Sequence, residues 1–476
     1  MIGNDVLFLS VRALGEKIRK RELSPLALTK AYLERLETIG PKLGAVITVT
    51  RDLALAQASA AENEIAAGKY RGPLHGIPYG AKDALSAKGI PTTWGTAPYR
   101  NQVFDYDATV IARLAAAGAV LLGKLAMLET VGGFGFDSAD ASFTGPTRTP
   151  WNPDHWAGGS SSGPGAATAA GLVAFAIGSE TGGSILNPSN FCGLAGLRPT
   201  YGRVSRHGAV ALSWTLDKVG PMCRSAGDCG LVLSVIAGYD KLDPTTARRT
   251  FAYPAPAARP RKFKLAIARG TYERVQPEIR ANFEKSVEVL AQFADISHEV
   301  QFPDYPYAQM IGLIIAAEGA SAFRDLTDTG REGELQNQTS RTTGYADSMV
   351  SAVDYLQALR VRKVARRAMD AFLANYDAMV APTMSAVSRR VGEIWDRPAQ
   401  TSALPRPANA QPVSLLSAGN LGGIPGLTVP NGFGQDNIPT GLQFVGSAWS
   451  ERTLLALAET YQSRTDWHTR RPPAFS

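Results

Sequence analysis

The sequence predicts an α/β fold, and three observations carry that prediction. Helical periodicities alternate along the chain with short apolar runs of strand length. The 476 residues suffice for two to four domains or one large α/β unit, at roughly 100–200 residues per domain. Apolar residues make up 45% and charged residues 19% of the chain, a balance that excludes wholesale disorder. The 47 glycines and 30 prolines add the expectation of many turns.

Taken in order, residues 24–39 read as a helix. Ser24 can cap it, Pro25 suits its first turn, and Leu26, Leu28, Tyr32, Leu33 and Leu36 recur near helical spacing. A second helix covers residues 53–67. Residues 72–83, punctuated by Pro73, Gly76, Pro78 and Gly80, read as a loop feeding a strand. Asp107 is expected to cap a helix that runs to Ala117 and ends at Gly118, and Val120, Leu121 and Leu122 then read as a buried strand. Residues 137–163 are turn-rich, 164–170 a short helix and 172–177 a buried strand. Residues 252–261 hold three prolines and suit a linker or crossover. Strand (264–268), helix (277–293) and strand (296–302) continue the α/β pattern. Residues 355–374 form a long helix, a strand ends at Pro382, and the Pro- and Ala-rich stretch 399–412 suits a surface loop near a site.

Charge and composition remove several function classes. Lys and Arg number 49 against 42 Asp and Glu, a net +7 spread thinly over the chain. Without a dense basic stripe interleaved with aromatics, no nucleic-acid partner is expected. Three cysteines, Cys192, Cys223 and Cys229, cannot build a disulfide scaffold and read as reduced thiols. No Cys/His spacing suits zinc. The N-terminus lacks the basic n-region and apolar run of a signal peptide. The most apolar stretch, Gly165 to Gly178, is 14 residues long, short of the about 20 a membrane span needs. The expectation is a cytoplasmic enzyme without a membrane or metal partner.

Two Gly/Ser segments stand out. The first is Gly158-Gly159-Ser160-Ser161-Ser162-Gly163, and the second is Thr181-Gly182-Gly183-Ser184, its serine 24 residues after Ser160. A short helix and a buried strand between them can fold the two serines toward each other. Glycine before a serine allows close backbone approach, and successive N–H groups in such a turn can converge on an oxyanion. A turn role alone is the plainer reading. A nucleophile elbow would make Ser161 the nucleophile, but its approach, residues 149–156, is a Pro-broken loop where a strand is required. A phosphate loop at Gly118 to Lys124 fails because Leu125 stands where Ser or Thr must bind magnesium. A Ser–Ser–Lys relay would draw on Lys82, set in the apolar, Gly-rich run Gly76-Ile77-Pro78-Tyr79-Gly80-Ala81-Lys82-Asp83.

These residues resemble the amidase signature family of serine amidohydrolases. The run from Gly158 to Tyr201 carries its GGSS segment, its nucleophile segment and the tail in which FCG precedes RPT. GIPYGAKD resembles the lysine segment, GAVLLGKLAM the strand after it, and residues 420–446 the C-terminal segment. The resemblance implies one large α/β/α unit over residues 1–476, a twisted mixed β-sheet flanked by helices, with a more variable lobe at about 264–395. It further implies Ser184 as the acylated nucleophile, Ser160 as the bridging serine after a cis bond from Gly159, and Lys82 as the base. The N–H groups of Thr181, Gly182, Gly183 and Ser184 would form the oxyanion hole. No cofactor is implied.

Three departures from the family pattern bear on substrate. Ser162 replaces a usual glycine, Glu180 stands where Asp is common, and Leu186 stands where many relatives carry Arg. An Arg there can grip a carboxylate, and Leu cannot. The expected substrate is therefore a neutral, moderately apolar amide, anilide or carbamate, with esterase or urethanase side activity. Thr181, Gly182, Gly183, Ser161, Leu186 and Trp214 are the candidate binding residues, with Asn187 as a further pocket residue. The alternative is the glutamine-hydrolysing A subunit of a tRNA-dependent amidotransferase. A non-catalytic scaffold on the same fold is a third reading, opposed by the intact Lys82, Ser160 and Ser184. A homodimer is compatible with all of these.

Overall fold

The structure is a computed structural model, and it describes residues 2–254, 262–395 and 414–475. Eleven strands form one mixed sheet among these residues. In chain order they are β1 (Val46–Val49), β2 (Pro78–Lys82), β3 (Val120–Leu125), β4 (Phe175–Glu180), β5 (Ala195–Arg198), β6 (Lys218–Cys223), β7 (Phe263–Ala268), β8 (Ala294–Val300), β9 (Ala378–Pro382), β10 (Gly426–Phe433) and β11 (Pro439–Val445). Their order across the sheet is β1-β3-β2-β4-β6-β5-β10-β11-β9-β7-β8. β2 runs parallel to both β3 and β4, and β7 runs parallel to both β8 and β9. The remaining pairs are antiparallel.

The central strands β2, β3, β4 and β6 are buried along their whole length. Helices on both faces explain this, and explain why apolar and polar residues do not alternate along these strands. One core cluster lies between the sheet and helices such as Val11–Arg19, Pro25–Thr38 and Glu451–Gln462; Leu14, Leu33, Val120, Phe175 and Leu455 belong to it. A second cluster, including Phe134, Ile314, Met369 and Leu421, joins the helices Tyr307–Ala322, Ala352–Leu373 and Leu415–Gly422.

Most expected elements occur within three residues of their predicted bounds. The helix Pro25–Thr38 is capped by Ser24, whose hydroxyl accepts from the Ala27 N–H at 3.0 Å. The helix expected from Asp107 begins instead at Thr109, with Ala108 at its cap and no side-chain bond there. Asp107 is drawn away because its carboxylate accepts the Lys88 N–H at 2.7 Å. The strand expected at 172–177 begins at Phe175, where pairing of Phe175 with Tyr79 of β2 starts. The linker expected at 252–261 lies mostly, and the loop at 399–412 wholly, outside the described residues. Cys192, Cys223 and Cys229 are buried free thiols. No described helix is long and apolar enough to cross a membrane.

Candidate active site

The sheet brings the two Gly/Ser segments and Lys82 to one place. Lys82 ends β2, and Glu180 ends the neighbouring parallel strand β4. The crevice beyond the carboxyl ends of parallel strands is where open α/β sheets place ligands. Ser160 lies in the loop before the helix Ser162–Ala169, and Ser184 lies in the turn between β4 and the helix Leu186–Phe191.

Lys82 is fully buried, and its Nζ donates to Ser160 Oγ at 2.8 Å. The same Nζ donates to Ser179 Oγ at 3.0 Å. Burial pushes the Lys82 ammonium down to about 7, against a weaker upward pull from Asp217 and Glu180. No carboxylate lies within ion-pair distance of it among the described residues. Lys82 is therefore a buried amine held by two hydroxyls.

Gly159 and Ser160 are joined by a cis peptide bond, as the family resemblance implies. The two serine segments are tied through their backbones: the Ser161 N–H donates to the Ser184 carbonyl at 3.3 Å, and the Gly159 N–H donates to Asn187 Oδ1 at 3.0 Å. Gly158 has φ +84°, and a Cβ there would lie 2.5 Å from Asn187 Oδ1, so only glycine fits the join. The Ser184 hydroxyl has no hydrogen-bond partner among the described residues, and the residue is partly exposed.

The turn that carries Ser184 presents free donors. Among the described residues, the N–H groups of Gly182, Gly183 and Ser184 donate to no other protein atom. Gly183 has φ +146°, a conformation L residues rarely adopt, and its missing Cβ would lie 3.0 Å from a Leu416 methyl. The turn is braced from behind by Glu180. Its Oε2 accepts the N–H groups of Ile185 and Leu186 at 2.8 and 2.9 Å, and its Oε1 meets Arg198 Nη1 at 3.0 Å and Asn420 Nδ2 at 2.8 Å. Burial alone would raise the Glu180 carboxyl, but Arg198 and Lys218, with these hydrogen bonds, outweigh burial and hold it below its ordinary value.

The expected binding residues separate into distinct roles. Ser161 is wholly buried, and its hydroxyl is consumed by the Ser179 carbonyl and N–H at 3.1 and 3.3 Å. It ties the serine loop to β4. The Thr181 hydroxyl is likewise committed, to Asp217 Oδ1 at 2.5 Å. Leu186 is buried with Ile185 and Met222, and Leu416 packs against that group. Trp214 is 44% exposed. It lines a cavity of about 190 Å³ with Ser179, Asp217 and Lys218, and Ser160 and Ser184 are not part of that lining. Trp214 thus shares a cavity with Ser179, which bonds Lys82, and with Asp217, which bonds Thr181. Sequence reasoning missed Ser179, whose only signal is its place one residue before Glu180 on a buried strand. It also missed Lys218, a buried amine pushed well below its ordinary value by burial and Arg198, and bonded to Asn420 Oδ1 at 2.8 Å.

The Amidase family model matches residues 27–455. The Glutamyl-tRNA(Gln) amidotransferase A subunit from Roseiflexus castenholzii is 38% identical over 498 aligned residues, which span 98% of this chain and 97% of that protein. The solved peptide amidase from Stenotrophomonas maltophilia superposes with TM-score 0.82 at 30% identity, covering 98% of each chain. The Glutamyl-tRNA(Gln) amidotransferase A subunit from Thermotoga maritima superposes with TM-score 0.78 at 26% identity, covering 98% of this chain and 96% of its own.

Proposed function

This chain belongs to the Amidase family and is an amidohydrolase, and we propose that it cleaves C–N bonds through an acyl-enzyme on Ser184. The observation that carries the reading is the 2.8 Å bond from a buried, easily deprotonated Lys82 to Ser160. Neutral Lys82 accepts the Ser160 proton as Ser160 accepts the Ser184 proton. Ser184 Oγ attacks the carbonyl carbon, and the developing oxyanion is held by the free N–H groups of the turn. Each such donor is worth about 3–4 kcal/mol in comparable sites. Ser160 then delivers a proton to the leaving nitrogen, the C–N bond breaks, and the acyl group remains on Ser184. A water molecule deprotonated through the same relay attacks the ester, releases the acid and restores Ser184.

For the substrate, near full-length likeness to Glutamyl-tRNA(Gln) amidotransferase A subunits supports glutamine better than the neutral apolar amide expected from Leu186. In this reading glutamine is the nitrogen donor, Ser184 takes the glutamyl acyl group, and ammonia passes to a partner subunit. One observation favours the second reading. The atoms nearest the outer side of Gly182 and Gly183 belong to Ile311, Ile315 and Leu416, an aliphatic wall suited to a neutral acyl group.

Ammonia release from glutamine, by the chain alone and with the companion amidotransferase subunits and glutamyl-tRNA(Gln), separates the two readings when run beside nitroanilide hydrolysis. Nitroanilide turnover with no glutamine turnover in either mixture removes the glutamine reading. Labelling by a serine-directed fluorophosphonate, lost in Ser184→Ala, is expected under both readings. Equal labelling of wild type and variant removes the acyl-enzyme mechanism itself.

A further inference from the structure

Outside the active site, an open concavity of about 420 Å³ is lined by Arg203, Arg248, Arg249, Thr250, Phe251, Trp449 and Arg452. Four of these seven side chains are guanidinium groups. Arg203 is neutralised: it is 4% exposed and meets Glu451 at 2.9 Å through Nη2. The other three are exposed, and none has a carboxylate within 4 Å among the described residues. Three uncompensated positive charges therefore share one hollow, where their mutual repulsion favours an anion over water.

Their positions are held without ion pairs. Arg249 stacks on Trp449 with its guanidinium 5.2 Å from the ring centre, Arg452 stacks on Phe251 at 5.7 Å, and Arg248 stacks on Tyr239 at 4.1 Å. Trp449 is also covered by Arg203 at 4.6 Å. Stacking restricts each side chain while leaving guanidinium N–H donors free, so less entropy is lost when an oxyanion arrives. Trp449 has φ +72°, and its N–H donates to Thr200 Oγ1 at 2.8 Å.

We propose that this hollow binds a free oligophosphate through Arg248, Arg249 and Arg452. Phosphate oxygens match the planar fork of arginine bidentately, and a chain of linked phosphates can meet several guanidinium groups at once. The inference is independent of the substrate reading above, because none of these residues touches Lys82, Ser160 or Ser184.

Inorganic tripolyphosphate is titrated calorimetrically into the full chain at low and at raised salt. Saturable binding at one site per chain is expected, weakening with salt. It is expected to fall at least tenfold in R249S/R452S and to stay unchanged in K285S, an exposed control on the helix Pro277–Ala291. Unchanged amide turnover and melting temperature show that the double variant is folded; R249S and R452S singly serve if it is not. Absence of saturable binding, equal weakening in K285S, or full binding in folded R249S/R452S overturns the assignment.

Discussion

Arg198 Nη1 lies 3.0 Å from Glu180 Oε1, and both side chains are wholly buried. Glu180 Oε2 holds the Ile185 and Leu186 N–H groups. The pair therefore acts on the first turn after Ser184, the proposed nucleophile, rather than on the sheet alone. A buried ion pair is weak evidence for stability by itself. Here the carboxylate is fixed by four donors, so its geometry becomes the geometry of the turn.

Arg198→Met leaves that carboxylate buried without its strongest partner. Urea unfolding is expected to show a loss of about 3–5 kcal/mol near neutral pH. The sign follows from the lowered Glu180 pKa. The contribution is complete above the unfolded value, about 4.3, and disappears as pH falls through the lower folded value. The gap between wild type and variant is expected to close in acid; a gap independent of pH would contradict the assignment.

Activity is expected to rise with pH along a limb near 7, because only neutral Lys82 accepts a proton. Lys82→Met is expected to lower kcat/KM by at least about a hundredfold and to abolish the limb. Stability moves in the same direction. The unfolded chain keeps the lysine proton up to about 10.4, whereas the folded chain releases it at about 7. Folding is thus coupled to proton release between these values, and wild-type stability rises with pH across them. Lys82→Met is expected to flatten that part of the stability profile.

Ser179→Ala removes an acceptor that favours protonated Lys82. The limb is expected to move below its wild-type position while fluorophosphonate labelling of Ser184 persists. A purely structural role would lower the melting temperature and leave the limb in place.

Gly183→Ala must place an L residue at φ +146° against Leu416. The turn is expected to shift its N–H groups away from the oxyanion, lowering kcat by about a hundredfold or more, the scale of one lost donor. KM and the melting temperature are expected to change little. A wild-type kcat in this variant would take the turn out of the oxyanion hole.

The proposed catalytic trio was legible in the sequence because each member is flagged by local chemistry. Lys82 sits in an apolar run, and both serines follow glycine pairs. The Ser24 cap was legible for the same local reason. Asp107 was misread because its carboxylate has two backbone claimants, and the Lys88 N–H, brought near only by the fold, takes it. The start of β4 depends on Tyr79 across the sheet. The partners of the Ser161 hydroxyl and the setting of the Trp214 ring were not legible, because neither is written in its sequence neighbours. Ser179 and Lys218 gain meaning only from Lys82 and Asn420, which lie 97 and 202 residues away in the chain.

Asn420, which reaches Glu180 from 240 residues downstream, has a consequence for synthesis. A ribosome that has released residues 1–400 has already delivered Lys82, Ser160 and Ser184. It has not delivered the asparagine that completes the Glu180 cradle, nor β10, which flanks β5. A chain ending at that length is expected to show no amide turnover, because the Glu180 cradle and the β5 edge wait for the remaining stretch to emerge and dock.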